Sequence, residues 1–192
     1  VYSFCMCPGG YVINASSKNG YLVVNGMSNY QRDNSYSNSA LVVTITKEDL
    51  QDEVFKGMDF QEKLERKAYL FGKGNIPVQR VTDYLINKES TNLLLDRNML
   101  KGDYYGANLR QLFPSFINKS LDEALENFNK KMLGFISQEA ILCGVETRTS
   151  SPIRIIRDEN LESNIKGIYP IGEGSGYSGG ITTSAIDGIK AF

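Results

Sequence analysis

The chain has 192 residues, of which 41% are hydrophobic and 22% are charged, the composition of an ordinary globular protein. Its 21 basic and 22 acidic residues leave a net charge of −1, so binding to nucleic acid or to an anionic membrane surface has no electrostatic basis. The sequence contains no run of about 20 apolar residues and no signal peptide. We therefore expect a cytoplasmic protein that has no membrane partner.

Two residue types exclude several kinds of site. Histidine is absent, so a Ser-His or Cys-His catalytic couple cannot be built from this chain alone. The three cysteines, Cys5, Cys7 and Cys143, are too few for a structural zinc site made of cysteine, and no metal is expected. The first residue is Val1 rather than methionine, and it leads directly into a strand-like segment. We therefore expect the sequence to begin inside a longer chain.

The first 46 residues are predicted to be mainly β-structure. Lys18-Asn19-Gly20 indicates a tight type I′ hairpin turn, because Asn-Gly readily adopts the positive φ values that this turn requires. Residues 27–39, rich in Asn and Ser, are predicted to be a loop. The apolar run from Leu41 to Ile45 predicts a central strand buried on both faces. The predicted strands are residues 2–6, 11–13, 21–24 and 41–45.

Helices are predicted in the middle of the chain. Asp59 and Glu62 have the spacing of a capping box, and apolar residues follow at i+3 and i+4 until a pair of glycines ends the pattern. Pro77 is expected in the first turn of a second helix, a position that proline fits well. Ser120 and Glu123 have the same capping spacing and would begin the longest helix. The apolar stripes of these helices predict surfaces that face a core.

The last third of the chain returns to strand-like composition and ends in a helix. Short strands are predicted at residues 140–145, 152–156 and 167–171. A glycine-rich segment, residues 172–180, follows the last of them. The predicted helix after it has one apolar face, formed by Ile181, Ala185, Ile189 and Phe192.

The glycine-rich segment matches two motifs by spacing, but the rest of the chain argues against both. Gly174, Gly176 and Gly179 are spaced as in a dinucleotide-binding fingerprint, but too few residues follow for the second strand that this motif requires. Gly176, Ser178 and Gly180 are spaced as in the nucleophile elbow of a hydrolase, but histidine, the usual base, is absent.

A third interpretation of residues 172–180 follows from backbone chemistry. Several glycines let a backbone approach a ligand closely, and the helix that follows directs N–H groups and a partial positive charge at it. Such a site suits a phosphate or the N1–C2=O edge of a flavin. A tight turn that needs glycine only for its φ angles explains the local sequence equally well, so both interpretations stay open.

Several segments carry a resemblance to a known family. Residues 167–181, followed by Asp187 and Gly188, resemble the final FAD-binding segment of flavoprotein dehydrogenases, where a short strand ends in Gly-Asp or Gly-Glu before a helix that points at the flavin. The chain as a whole resembles a bacterial family of poorly characterised FAD-dependent, NAD(FAD)-utilising dehydrogenases. The segments that carry this resemblance are YSFCMCPGG at residues 2–10, VNGMS at 24–28 and ETRTSSPIR at 146–154.

The resemblance implies a longer protein with an N-terminal Rossmann-type FAD domain that is missing here. Residues 1–157 would form an inserted substrate or cap domain, and residues 158–192 would be the C-terminal segment of the FAD-binding domain. FAD would be the cofactor, NAD(P)H the electron donor, and a small molecule the substrate. The missing FAD domain would be the partner of this segment.

The resemblance also implies roles for single residues of the glycine-rich segment. Gly172 and Glu173 would lie at the ribityl or phosphate region of FAD. Gly179, Gly180 and Ile181 would place backbone N–H groups near the pyrimidine edge of the flavin. A positive helix end at that edge would stabilise the anionic reduced flavin.

Two further pairs of residues are candidates beside that cofactor. Arg148 and Arg154 would hold an anionic substrate or the cofactor by bidentate contacts, or else are solvated arginines next to an edge strand. Cys5 and Cys7 are at positions i and i+2 of a strand and would form a catalytic dithiol that exchanges electrons with the flavin, or else are buried, inert cysteines.

These observations predict an α+β chain with an antiparallel-rich sheet, a helical layer, and a C-terminal strand, glycine-rich loop and helix that belong to an FAD-binding domain. Its function would be part of an FAD-dependent oxidoreductase, a dehydrogenase that passes electrons between flavin, NAD(P)H and a substrate. The alternative is a non-catalytic recognition or cap module that binds a macromolecular partner.

Overall fold

The computed structural model describes residues 1–50 and 53–192 and confirms the predicted α+β class. The strands are β1 (Tyr2–Cys7), β2 (Gly10–Asn14), β3 (Val24–Ser28), β4 (Asn38–Val42), β5 (Ile76–Arg80), β6 (Leu100–Lys101), β7 (Tyr104–Gly106) and β8 (Ile141–Cys143). The α-helices are α1 (Lys56–Phe71), α2 (Val81–Leu85), α3 (Ser115–Lys131) and α4 (Ile181–Ala191), and short 3-10 helices cover Glu48–Leu50 and Leu109–Gln111. Among the described residues, no helix has the length and apolar character needed to cross a membrane.

The chain divides into two compact units. The first unit comprises residues 1–45 and 62–146, and the second comprises residues 46–61 and 147–192. In the first unit, the described strands form three small sheets: β1 with β4, then β3-β2-β6, then β7-β5-β8. The β1/β4, β2/β3 and β5/β8 pairs are antiparallel, and the β2/β6 and β5/β7 pairs are parallel.

The hydrophobic core of the described chain lies entirely in the first unit. Every buried aliphatic or aromatic side chain, proline aside, falls within residues 1–45 or 62–146. Burying one such side chain completely contributes about 1.5–3 kcal/mol, so the first unit has most of the apolar stabilisation. The largest fully buried side chains among them are Leu22, Ile76, Val78, Tyr84, Leu112 and Leu125.

A buried amide connects β5 to the irregular segments around it. Gln79 is completely buried, and its Nε2 donates to the Lys88 carbonyl at 2.7 Å. Its Oε1 accepts a hydrogen bond from the Leu109 N–H at 2.8 Å. The Asn108 side chain, in turn, donates to Asn87 Oδ1 at 2.9 Å. The two bonds of Gln79 satisfy a backbone carbonyl and a backbone N–H outside the sheets, and the bond of Asn108 joins a second buried amide to this group.

The predicted hairpin is present, but its geometry is not the predicted one. The strand that pairs with β2 is β3, Val24–Ser28, and the connection runs from residue 15 to residue 23. Gly20 has a φ of +79°, but Asn19 has no positive φ, so the turn is not type I′. Leu22 does not pair with β2, because its N–H donates instead to the Glu65 carbonyl at 3.0 Å.

The strand predicted over Leu41–Ile45 is shifted and lies at an edge. β4 begins at Asn38, inside the predicted loop, and pairs with β1 in a two-stranded sheet. All its residues are partly exposed. An apolar run alone does not distinguish a central strand from an edge strand, so the prediction of burial on both faces is wrong.

Both predicted capping boxes are wrong as helix starts. α1 begins at Lys56, so Asp59 and Glu62 lie within it. α3 begins at Ser115, directly after Pro114, whose φ of −63° is suited to a helix start. Ser120 and Glu123 are therefore internal, since the spacing of a capping box also occurs by chance inside a helix.

Pro77 lies in a strand rather than in a helix. It belongs to β5, whose first four residues are all buried. The Pro77 carbonyl still accepts a hydrogen bond from the Gly144 N–H at 3.0 Å, so the proline removes only a donor from the strand. The predicted second helix is reduced to α2, Val81–Leu85.

The second unit is mostly irregular apart from its helices. Residues 152–156 and 167–171, predicted as strands, pair in no sheet. The Ile155 N–H donates instead to the Ser175 carbonyl at 3.1 Å, and the Ile168 N–H donates to the Ile165 carbonyl at 3.1 Å. Residues 172–180 form a loop that leads into α4, as the sequence predicts. The residues directly before this loop, 167–171, do not form the predicted strand.

Candidate functional site

The glycine-rich segment, residues 172–180, forms one loop together with the two residues before it, and this loop, residues 170–180, contains a turn closed by its own backbone. The Gly176 N–H donates to the Glu173 carbonyl at 2.9 Å, and the Tyr177 N–H donates to the Gly172 carbonyl at 3.1 Å. Gly172 and Gly176 have φ values of +74° and +85°, which glycine adopts without strain. The turn itself therefore accounts for these two glycines.

Two other glycines of the loop, Gly174 and Gly179, have no such internal explanation. At Gly176, by contrast, an added Cβ would lie 2.4 Å from the Ile153 carbonyl oxygen, so the chain fills that side of the loop. A Cβ at Gly174 or at Gly179 would meet no atom within 4 Å, and neither residue has a φ in the left-handed region. The loop therefore presents an open backbone surface at Gly174 and Gly179.

The start of α4 follows this open surface directly. The N-cap residue is Gly180, which has no side chain to accept a hydrogen bond from the first turn. The first helical bond runs from the Ser184 N–H to the Gly180 carbonyl at 2.9 Å, so the N–H groups of the preceding residues lie ahead of the helical ladder. Together with the positive end of the helix dipole, they can bind an anion or a polarised carbonyl oxygen.

Asp187 connects α4 to the beginning of the loop. Its Oδ2 accepts a hydrogen bond from the Gly172 N–H at 2.8 Å. Arg157 donates to both carboxylate oxygens, from Nη2 to Oδ1 at 2.7 Å and from Nη1 to Oδ2 at 2.9 Å. The hydrogen bonds from Arg157 and then from Gly172 lower the pKa of Asp187 from 3.8 to about 2. The same ion pair raises the pKa of Arg157.

The Tyr177 ring packs against two guanidinium groups of the same unit. The Cζ of Arg157 lies 3.6 Å from the ring centre, and the Cζ of Arg154 lies 4.9 Å from it. Arg154 Nε also donates to the Gly176 carbonyl at 3.0 Å, and Arg157 Nη1 donates to the Pro170 carbonyl at 2.8 Å. The loop is therefore held by cationic side chains at both ends of its turn.

The apolar face predicted for α4 is exposed in the structure. Ile181, Ile189 and Phe192 have exposed fractions of 93%, 76% and 114%. The helix is attached to its unit by its polar side, through Asp187 and through Ser184, whose Oγ lies 2.6 Å from that of Ser178. The sequence pattern is amphipathic, but the described chain does not cover this face.

A family model described as "FAD-dependent protein, C-terminal domain-like" matches residues 1–149. The chain belongs to this family. An uncharacterized protein of Clostridium beijerinckii is 46% identical over 194 residues, an alignment that covers 99% of this chain and 36% of the relative. The chain thus spans little more than a third of that relative. The family confirms the resemblance found in the sequence and associates the chain with FAD.

The cofactor-binding residues suggested by the resemblance to FAD-dependent proteins all belong to the glycine-rich loop or to the first turn of α4, in the second unit. Glu173, Gly179 and Ile181 are exposed, and Gly172 and Gly180 are partly exposed beside them. Gly172 also serves the internal contact with Asp187 described above. Their role in binding FAD remains a prediction.

The two candidate arginines differ in what the structure assigns to them. Arg154 is exposed but already uses its Nε for the loop carbonyl of Gly176. Its two Nη nitrogens lie at the end of the side chain, beyond the bonded Nε. Arg148 is an exposed residue of the same unit. A role for either in holding an anionic group of the family's cofactor or substrate remains a prediction.

The cysteines belong to the first unit, and all three are present as thiols. Cys5 is exposed and has a φ of +47°, where the register of β1 against β4 shifts. Cys7 is partly buried, and its Sγ donates to the Cys5 carbonyl at 3.4 Å. Burial raises the pKa of the Cys143 thiol to about 12. The dithiol role of Cys5 and Cys7 remains a prediction.

Sequence reasoning missed the three residues that hold the loop in place, Arg157, Tyr177 and Asp187. Arg157 and Asp187 are 30 positions apart, and no local pattern relates them. One signal was available: Asp187 is the single acidic residue of a helical segment whose other charged residue is Lys190 near its end. Such a residue commonly has a partner when the helix packs against protein.

Proposed function

We propose that this chain is the C-terminal part of an FAD-dependent oxidoreductase, in which the glycine-rich loop and the start of α4 approach the flavin. One observation carries the proposal: Gly174 and Gly179 face open space, although the described chain needs glycine at neither position. Close approach of a ligand to the backbone would explain both residues. Membership of a family of FAD-dependent proteins supports FAD as that ligand.

We further infer that residues 158–192 complete an FAD domain that the rest of a longer protein supplies, and that residues 1–157 form its substrate or cap domain. Residues 158–192, all of which the structure describes, support this proposal because, Pro170 aside, they bury no apolar side chain of their own. Their exposed apolar residues Ile181, Ile189 and Phe192 would be covered by that domain. This chain covers only 36% of its Clostridium beijerinckii relative, so a protein of that length has room for such an FAD domain.

The residues present fit the chemistry of this cofactor. Bound FAD would supply the transfer of a hydride or of electrons. The N–H groups of Gly179, Gly180 and Ile181 would donate to the pyrimidine edge, and the positive end of α4 would stabilise negative charge there. Gly172 and Glu173 would lie by the ribityl or phosphate region.

Anionic groups would be held by the arginines of the second unit. Arg154 is fixed by its Nε bond to the Gly176 carbonyl, which would leave its two Nη donors directed at a carboxylate or phosphate. Arg148 would provide a second positive charge. In this proposal NAD(P)H is the electron donor, and a small molecule is the substrate.

The full-length protein that contains this chain provides the first test. We expect a flavin absorption band at near-stoichiometric occupancy, which NADH or NADPH bleaches. The 192-residue chain alone is expected to be colourless, because the ADP-binding part of an FAD domain supplies much of the affinity. A full-length protein that stays colourless after addition of FAD contradicts the FAD assignment. A bound flavin that neither donor reduces would favour the non-catalytic recognition module.

Gly179→Ala tests the loop itself. In the 192-residue chain this substitution should not lower stability, because the new Cβ meets no atom within 4 Å. In the full-length protein it should weaken FAD binding by about tenfold, or about 1.4 kcal/mol, because the methyl group would occupy space next to the ligand. Gly176→Ala is the matched contrast and should destabilise the loop in both proteins. Unchanged FAD affinity in Gly179→Ala would remove the loop from the site.

A further inference from the structure

We propose that Arg157 and Asp187 form a clamp that sets the shape of the glycine-rich loop, and that they are positioning residues for the ligand of this loop. The inference rests on the proposed function, in which that ligand is FAD. Neither residue belongs to the loop: Arg157 precedes it, and Asp187 lies on α4. We expect the clamp to act through backbone groups rather than by touching the ligand.

The first step of the argument is that one ion pair contacts the loop at three places. Arg157 Nη1 donates to the Pro170 carbonyl at 2.8 Å, and Asp187 Oδ2 accepts from the Gly172 N–H at 2.8 Å. These two bonds fix the backbone where the loop begins. The Arg157 guanidinium also lies 3.6 Å from the ring centre of Tyr177, on the far side of the turn.

The second step concerns how strongly this pair determines the loop. Both side chains are only 11% exposed, and the pair is bidentate, so its charges compensate each other largely out of water. Removing one partner would leave the other charge poorly solvated, which is far more damaging than losing an exposed pair. The described residues of the second unit form no apolar core that would hold the loop in its place.

The third step connects the clamp to binding. Gly174 and Gly179, the open positions of the loop, flank Tyr177 in the sequence, and Gly179 directly precedes Gly180, the N-cap of α4. Asp187 is on that same helix, so the clamp ties the loop to the helix whose N-terminus would face the ligand. A ligand held by backbone N–H groups depends on their placement, and a displacement of about 1 Å is enough to weaken it greatly.

The test compares two isosteric substitutions in the full-length protein. Asp187→Asn removes the charge of the clamp. Asp122→Asn is the matched control, because Asp122 forms a bidentate pair with Arg110 in the first unit, at 2.5 Å and 2.9 Å. We expect Asp187→Asn to weaken FAD binding by about tenfold or more and Asp122→Asn to leave it within about twofold. Hydrogen exchange at the Gly172 and Tyr177 amides should become faster only in Asp187→Asn.

Exchanging the two charges separates a positioning role from a merely stabilising one. The R157D/D187R variant restores an ion pair, but it turns a guanidinium toward the Gly172 N–H and a carboxylate toward the Pro170 carbonyl. We therefore expect its thermal midpoint to recover relative to the single variants, while FAD binding stays weak. Recovery of FAD binding together with the thermal midpoint would overturn the positioning role.

Different experimental results would contradict the clamp and the proposed function. If the unchanged full-length protein binds no FAD, the proposed function is wrong, and the exchange rates of Gly172 and Tyr177 still test the clamp. If FAD binds and Asp187→Asn changes neither its affinity nor these exchange rates, the clamp is wrong, and the proposed function is unaffected.

Discussion

The Tyr84 hydroxyl donates a hydrogen bond to Asn118 Oδ1 over 2.9 Å, and this contact joins α2 to α3 inside the first unit. Both residues are buried, and Asn118 Nδ2 donates in turn to the Arg110 carbonyl at 2.9 Å. Burial also raises the pKa of Tyr84, so the hydroxyl remains a donor at any ordinary pH. The contact is therefore a constant part of the fold.

Tyr84→Phe should lower the free energy of unfolding of the 192-residue chain by about 1–3 kcal/mol, because it leaves a buried amide oxygen without its donor. Urea denaturation followed by far-ultraviolet circular dichroism provides the measurement. Tyr30→Phe is the matched control, since Tyr30 is fully exposed, and its substitution should change the stability very little. Equal stabilities for the two variants would show that the Tyr84 contact contributes nothing.

A second prediction concerns the acid titration of Asp187. Its pKa is lowered to about 2 in the folded chain, by Arg157 first and by the Gly172 N–H second, with Lys190 adding a smaller attraction. A carboxylate with a lowered pKa stabilises the fold above its ordinary value of 3.8, and this contribution disappears as the pH falls toward 2. The amide proton of Gly172 should therefore titrate with a midpoint near pH 2 in an NMR experiment.

Asp187→Asn provides the control for this titration, because the Gly172 signal should then show no midpoint between pH 4 and pH 2. The difference in unfolding midpoint between the unchanged chain and the variant should shrink over the same interval. A Gly172 midpoint near 3.8 would mean that the ion pair does not form in solution.

The cysteines should differ in their reactivity toward a thiol reagent at pH 8. Cys5 is exposed and should react first, and Cys7, which is partly buried, should follow. Cys143 is also partly buried, but burial raises the pKa of its thiol to about 12, so the thiol stays protonated at pH 8 and should react last. Cys5→Ser should remove the fast phase, whereas Cys143→Ser should remove only the slowest phase. A fast phase that survives in Cys5→Ser would contradict this order.

The same cysteine variants examine the dithiol hypothesis in the full-length protein. Cys5→Ser and Cys7→Ser should leave FAD binding intact, because the proposed contacts to FAD come from backbone groups of residues 172–181 and not from a thiol. A loss of turnover in both variants, but not in Cys143→Ser, is the expected result if the pair is redox-active. Full turnover in both would end that hypothesis.

Much of the fold could be predicted where the pattern and the local chemistry agree. The apolar periodicity of α1 predicted this helix, and the glycines that follow predicted where it ends. Gly74 has a φ of +87°, which only glycine adopts easily. Helix starts were less predictable: Asp59 and Ser120 have capping residue types, but they lie within helices that begin earlier. Capping spacing is a weak signal when the residues before it can also be helical.

The glycine-rich loop was predictable as a loop but not in the way it is held. The interpretation of this segment as a tight turn that needs glycine for its φ angles was left open by the sequence, and it applies to Gly172 and Gly176. The pairing of Arg157 with Asp187 depends on tertiary contact across 30 positions, which a single sequence does not reveal. The amphipathic pattern of α4 was recognised, but its exposure was not predictable, because periodicity identifies an apolar face and not what covers it.

The exposed face of α4 leads to the last prediction, which compares one substitution in two contexts. Ile189→Ala should not destabilise the 192-residue chain, since Ile189 is largely exposed there. Leu125→Ala in α3 is the matched control and should lower the free energy of unfolding by about 2–5 kcal/mol, because Leu125 is completely buried in the first unit.

If an FAD domain covers α4 in the full-length protein, Ile189→Ala should lower the thermal midpoint of that protein and weaken its FAD binding. An Ile189→Ala variant as stable as the unchanged full-length protein would mean that this face of α4 stays uncovered and that residues 158–192 do not complete a neighbouring domain through it.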